Sequence, residues 1–290
     1  MTTPTESPRS AHAIRTCLAA AAPADSQPAP SRWHLMGLQA LPGAPVAASS
    51  AHRVGILVYG LLCYALCLAT FAYAFGYLGN ILTPTRLDAP AAGPTGPALL
   101  VDLALLLAFA VQHSVMARPW FKAWITRYIP QPAERPTYVL LSCLLMGALF
   151  VAWRPLGGVV WDVQSPLARG VVLAVYGAGW ALLLASTFLI NHFDLFGVRQ
   201  TWLHFRGWAC THLPFATPGL YGMVRHPLYV GWFIVFWAAP TMTAAHLLFA
   251  SVCTLYILAA IRWEERDLVA LHPEYAAHRE RVPMFLPRLR

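Results

Sequence analysis

The 290-residue sequence predicts an all-α, polytopic integral membrane protein with four spans and a C-terminal helical hairpin. Three observations carry that expectation. The chain is 58% hydrophobic and only 11% charged, where a soluble globular chain carries about a quarter charged residues. Uncharged apolar runs alternate with short loops, and Arg and Lys cluster in every second loop. The last apolar run, Leu228 to Ile261, is too long for one crossing. As a straight helix it would measure about 50 Å, against a hydrocarbon core of about 30 Å, an excess that tilt does not absorb. Pro240, followed by Thr241, Met242 and Thr243, lies inside the run, where proline breaks or kinks a helix.

Taken in order, residues 1–50 are rich in Ala, Pro and Ser without a sustained apolar period, as in a disordered tail. The apolar piece Cys17 to Ala22 is short for a signal-peptide core. Residues 51–290 form the membrane domain. Val54 to Leu78 is uncharged and long enough to span, and a Pro/Gly-rich loop with Arg86 follows. Ala98 to Met116 is the second span, with Asp102 as an N-terminal helix charge and Gln112-His113-Ser114 near its end. The next loop carries Arg118, Lys122, Arg127 and Arg135, and its Trp120, Phe121 and Trp124 suit a membrane interface. Thr137 to Trp153 is the third span and Val171 to Ile190 the fourth, with Arg154 and Arg169 flanking the loop between them. A polar and aromatic connection, residues 191–227, leads into the hairpin.

The basic loops and the Arg-rich tail from Arg262 onward are cytoplasmic by the positive-inside rule, as is the N-terminus. Both termini on one side require an even number of crossings, which four spans and a hairpin satisfy. The alternative for the last run is a single kinked span with charges at each interface. The net charge of +8 follows from this topology and does not call for nucleic acid. Cys17, Cys63, Cys67, Cys143, Cys210 and Cys253 have neither CxxC nor zinc-type spacing, so neither disulfides nor a metal site are expected.

A hairpin that turns near Pro240 brings its two charged ends together, so Arg225, His226, Glu264, Glu265 and Arg266 line one pocket at the membrane surface. At the end of the fourth span, Asn191, His192, Asp194, Arg199 and Gln200 crowd polar groups at a membrane boundary. That is costly and tends to mark function, although an interfacial cap uses the same residue types. His113 should lie at the same depth, in a functional or a structural role.

Arg225-His226-Pro227-x-Tyr229-x-Gly231, Glu264-Glu265-Arg266-Asp267-Leu268, Glu274-Tyr275 and Arg281-Val282-Pro283 resemble the C-terminal signature of membrane methyltransferases, the isoprenylcysteine carboxyl methyltransferases among them. Within that group the chain resembles the bacterial methanethiol S-methyltransferases. Gln112-His113-Ser114, Asn191-His192-Phe193-Asp194-Leu195-Phe196-Gly197, Thr217-Pro218-Gly219-Leu220-Tyr221 and Phe236-Trp237-Ala238-x-Pro240-Thr241-Met242-Thr243 carry that likeness, while Pro136 and Gly222 depart from the pattern. A nitric-oxide-reductase-associated membrane family shares only the looser layout.

The resemblance implies a protein of the bacterial inner membrane with a cytoplasmic cofactor pocket. It implies methyl transfer from S-adenosyl-L-methionine to methanethiol, giving dimethyl sulfide. Cofactor-binding positions fall on Tyr221, Arg225, His226, Pro227, Tyr229, Gly231, Glu264 and Glu265, and substrate-binding positions on Asn191, Phe196, Arg199, Gln200 and Trp232. Arg225 suits a carboxylate clamp, Glu264 or Glu265 a ribose or amino group, and Tyr229, Trp232 and Trp263 a sulfonium. His192 with Asp194, or His113, is the candidate base for the thiol. The expected partners are a small thiol and the bilayer, with no obligate protein partner. Two alternatives stay open: a larger lipidic or prenyl-cysteine acceptor, and a non-enzymatic haem- or metal-handling protein built on His113, His192, His204 and His212, for which Cys210-Thr211-His212 lacks metal-site spacing.

Overall fold

The structure is a computed structural model, and it describes residues 48–91, 93–211 and 213–287. The expected tail and the Cys17–Ala22 segment lie outside the described residues, apart from the tail's last few positions, as does His212.

Among the described residues, five helices are long and apolar enough to cross a membrane. The first, α1 (Ser50–Gly79), starts at an N-cap where the Ser49 hydroxyl accepts the His52 N–H, and it stops at Asn80 in the left-handed region. Next come α2 (Thr95–Ala117) and a short α3 (Pro119–Ile125) on which Trp120 and Trp124 are exposed, as an interfacial helix requires. Helix α4 (Gln131–Ala152) starts well before the expected Thr137. Pro132 is tolerated in its first turn, where the N–H has no helical partner anyway. Pro136 stays inside the helix and packs against Gly197: a Cβ on Gly197, whose φ is +85°, would lie 2.6 Å from Pro136 Cδ. After α5 (Pro166–Ile190) the connection folds as α6 (His192–Leu195), α7 (Val198–Phe205) and a 3-10 turn over Gly219–Gly222.

The last run divides as its proline dictates. Helix α8 (Pro227–Trp237) ends before Pro240, and α9 (Ala244–Leu271) carries the chain back and past the membrane boundary. At about 16 Å, α8 alone is shorter than the bilayer core; residues 238–243 complete the arm. Part of that segment is a strand absent from the sequence reading. Strand β1 (Val159–Asp162), between α4 and α5, pairs antiparallel with β2 (Thr241–Thr243), with Asp162 opposite Thr241. The turn is thereby tied to the loop between α4 and α5. His246 reinforces the tie: Nδ1 is 2.7 Å from Asp88, and Nε2 donates to Phe236 O at 2.9 Å. Asp162 holds Arg169 at 2.9 Å and the Thr241 hydroxyl at 2.7 Å.

Asp102 departs from its expected role. It lies a full turn and more beyond the start of α2, is completely buried, and accepts the Arg154 N–H at 2.8 Å, so it caps the chain leaving α4 rather than the start of its own helix. Close packing of α5 on α8 depends on Gly231, where a Cβ would meet Leu183 N at 2.9 Å and Gly179 O at 3.0 Å. The main core gathers Tyr77, Leu149, Phe150, Trp153, Tyr176, Trp180, Phe236 and Phe249 from most of the long helices. Beyond α9, α10 (Glu274–Arg281) leads into a segment that runs beside the mouth of the hairpin: Arg225 N donates to Pro283 O and His226 N to Met284 O.

Candidate active site

The two charged ends of the hairpin do lie side by side. Glu264 and Glu265, neighbours on α9, point about 100° apart around the helix and meet different partners. Glu265 is buried and faces the tail. It accepts His226 Nε2 at 3.0 Å and the Tyr275 hydroxyl at 3.2 Å, and it pairs with Arg225 Nε at 3.1 Å. Arg225 also donates to Arg279 O at 2.8 Å, so its guanidinium joins hairpin to tail. Its Nε–H is not aligned on the carboxylate, which makes the contact an ion pair rather than a hydrogen bond.

Glu264 faces inward. It accepts the Tyr229 hydroxyl at 2.6 Å, its one hydrogen bond found among the described residues. Tyr138, Tyr221 and Tyr256 lie within electrostatic reach of it. Burial, and then the charge of Glu264, push the Tyr221 phenol above its usual range. Tyr256 is 3.0 Å from Ser114 at the end of α2, and Arg118 pairs with Asp267 at 2.7 Å, so the ends of α2 and α9 are joined.

At the end of α5, Asn191 adopts φ +112°, an unusual backbone for a non-glycine residue that turns the chain back beneath the span. His192 follows, buried between Phe188, Phe196 and Tyr64. Burial holds its imidazole below the ordinary pKa. Asp194 does not pair with it: that carboxylate meets Arg199 at 3.1 Å and Gln200 at 3.2 Å. Arg199 is buried as well and also holds the Thr211 carbonyl and hydroxyl. His113 meets the Tyr138 hydroxyl at 2.8 Å and Ser142 at 3.3 Å and stacks on Phe109.

Four groups therefore converge. Arg225, His226 and Glu265 lock the tail; Tyr229, Glu264 and Tyr221 face inward; His113 joins Tyr138; His192 joins Tyr64 and Phe196. Tyr138 touches both the Phe196 cluster and His113. Three expected positions serve packing: Pro227 opens α8, Gly231 lets α5 approach, and Trp232 stacks among Phe71, Trp180 and Phe236. The sequence reading missed Tyr64, Thr187, Tyr138, Ser142 and Tyr256. Their available signal was a hydroxyl inside an apolar run. It also missed Lys122, which burial first and Arg135 next drive below the usual lysine pKa, and Arg135, which donates to Leu195 O at 2.8 Å. No three His, Cys, Asp or Glu side chains among the described residues are arranged to hold a metal ion.

The residues suit an aminoacyl-nucleoside sulfonium cofactor. Buried Asn191 Oδ1 and Gln200 Oε1 lack hydrogen-bond partners among the described residues, and Glu264 has accepting capacity to spare. Such acceptors match ammonium and ribose donors, and clustered phenol rings match a sulfonium.

A bundle of long apolar helices that gathers carboxylates, phenols and imidazoles at one end belongs to the class of all-α polytopic membrane proteins. The chain is 52% identical over 236 residues to the methanethiol S-methyltransferase of Crocosphaera subtropica, covering 81% of this chain and 92% of that one. It is 47% identical to the methanethiol S-methyltransferase of Mycobacterium tuberculosis, covering 80% and 95%. Nurim of Sus scrofa is 32% identical over 58% of this chain and 66% of its own length. No family model and no solved structure matches. The chain belongs to the methanethiol S-methyltransferase family.

Proposed function

We propose that this protein transfers the methyl group of S-adenosylmethionine to the sulfur of methanethiol, giving dimethyl sulfide and S-adenosylhomocysteine. The observation that carries the reading, beside family membership, is Glu264: a carboxylate with one hydrogen bond among the described residues, surrounded by tyrosines at the open end of the hairpin. When bound, the cofactor supplies an electrophilic methyl group on a sulfonium. Glu264, rather than Glu265, accepts its hydroxyl or amino donors, because Glu265 is already engaged by His226, Tyr275 and Arg225. Arg225 then serves the pocket by holding its wall. Tyr229 orients Glu264, and the phenol faces around it attract positive charge. The apolar walls exclude water, which favours the joining of a thiolate and a cation into neutral products. His192 is the preferred base for the thiol, with His113 behind Tyr138 as the alternative.

The site lies on the cytoplasmic side of a bacterial inner membrane, with both termini on that side. The Arg118–Asp267 ion pair supports this placement, because it joins the basic loop to the Arg-rich tail.

The test is headspace gas chromatography on membranes carrying the protein, supplied with methanethiol and methyl-labelled S-adenosylmethionine. Labelled dimethyl sulfide that vanishes with Glu264→Gln supports the reading. Cofactor binding without any such product refutes methanethiol as the acceptor.

A further inference from the structure

His192 is walled in. Its ring lies face to face with Phe188 at 4.1 Å and 3°, meets Phe196 edge-on at 4.8 Å, and is 3% exposed. Both ring nitrogens are occupied by hydroxyls: Nδ1 is 2.8 Å from Thr187 Oγ1, and Nε2 is 2.8 Å from the Tyr64 phenol oxygen. A thiol reaches neither nitrogen without displacing one of them.

Counting protons assigns the roles. The Thr187 hydroxyl has one proton and gives it to Leu184 O at 2.7 Å, a back-bond common for threonine in a helix. Thr187 Oγ1 is therefore left to accept, so Nδ1 of the neutral ring carries the hydrogen. Nε2 is then the basic nitrogen, and the Tyr64 O–H donates to it. Donation leaves the Tyr64 oxygen with a free lone pair. Tyr64 meets Phe196 and lies beside Cys67 at the edge of an apolar cluster that also holds Tyr138, through which the cluster continues to the Glu264 side of the pocket.

The geometry points to Tyr64 as the catalytic residue that meets the acceptor thiol, with His192 acting behind it and Thr187 as the positioning residue that fixes the imidazole tautomer. This rests on the proposed reading of His192 as the base. In the step, Tyr64 takes the thiol proton as it passes its own proton to Nε2 of His192. The sulfur keeps the S–H electron pair and uses it for the new bond to the methyl carbon. The bond that breaks joins that carbon to the sulfonium, and its electron pair leaves with the departing thioether. His192, whose burial disfavours the imidazolium, then returns the proton from Nε2 to the Tyr64 oxygen as the Tyr64 hydroxyl gives its own proton to water entering after the products leave. Around the pair, Cys67 is the titratable neighbour of Tyr64, Cys143 and Tyr138 face it from α4, and Asp194 is turned away to Arg199.

The test compares Tyr64→Phe, His192→Asn, Thr187→Val and Thr187→Ser in the full chain, with S-adenosylmethionine binding as the control for folding. At pH 7 the first two are expected to lose about 100-fold in methanethiol turnover, the lower end of what a general base contributes. Both deficits shrink as the pH rises and the thiol ionises in solution, because a thiolate needs no base. Thr187→Val loses less, and Thr187→Ser restores the rate. Independently of activity, nitrogen-15 resonances of labelled histidine place the hydrogen of His192 on Nδ1 in the unaltered protein, assigned by difference from His192→Asn. A normal rate for Tyr64→Phe beside a slow His192→Asn overturns the relay and leaves His192 as the base. A loss that stays constant with pH in both variants, or a hydrogen found on Nε2, also overturns the relay. Normal rates in both variants remove His192 from the reaction altogether.

Discussion

At the turn of the hairpin His246 Nδ1 lies 2.7 Å from Asp88, and at its open end His226 Nε2 lies 3.0 Å from Glu265. The two pins use the same chemistry, a buried imidazole on a carboxylate. They differ in what stands beside them. Asp88 also accepts from Thr243 N and Oγ1 and from Asn80 Nδ2, so its two oxygens are fully engaged. Glu265 is similarly engaged, but Glu264 next to it on the helix has, among the described residues, only Tyr229. A saturated carboxylate is committed to the fold, whereas one with lone pairs to spare, such as Glu264, has the capacity to accept from a ligand. The hairpin thus carries a saturated pin at one end, and at the other a pin beside a carboxylate with accepting capacity left.

The comparison breaks most visibly at Glu264. Glu264→Gln is expected to lower dimethyl sulfide formation by about 100-fold or more, the effect of losing a charge-assisted contact in a water-poor site, with thermal stability unchanged. Headspace analysis normalised to folded protein measures it, and equal losses for Glu264→Gln and Asp88→Asn per folded molecule would erase the distinction. Asp88→Asn should instead cost about 3 kcal/mol of stability, as for a buried pair deprived of one charge, while the folded fraction keeps its turnover; denaturation in detergent reads this. Gly231→Ala forces a methyl onto α5 and should cost about 1–3 kcal/mol, read in the same way.

The smallest expected effects concern pH. The His192 pKa is depressed by burial, so its neutral form contributes stability that is present above about pH 6.5 and is lost as pH falls from there toward its own lower value. Midpoints measured from pH 7 to pH 5 should fall more for the unaltered protein than for His192→Asn. At Asp88, burial opposes ionisation, yet hydrogen bonds from His246, Thr243 and Asn80 outweigh it and hold the carboxyl below its usual value. That contribution is present above about pH 3.9 and disappears only in stronger acid. Its loss should appear as a separate, more acidic decline that Asp88→Asn removes.

The sequence by itself determined the membrane class, the runs that became the long helices, and the hairpin. Each follows from local chemistry: uncharged apolar length, arginines that stay in water, and a proline that ends α8 before Pro240. It also marked segments that the fold brings together, since Arg225-His226, Glu264-Glu265 and Asn191–Gln200 all gather at one end of the spans. Only the tertiary structure decided which atoms face one another. Glu264 and Glu265 are indistinguishable as letters, and a rotation of about 100° separates an acid that meets Tyr229 from one that meets the tail. His192 and Asp194 look like a pair in the chain, yet the turn at Asn191 sends one to Tyr64 and the other to Arg199. Tyr64, Thr187, Tyr138 and Tyr256 sit inside apolar runs, where a hydroxyl carries no sequence signal of its partner. The β1–β2 pairing and the Asp102 cap escaped for a related reason: both join residues far apart in the chain, and their hydrogen bonds exist only once the helices have packed.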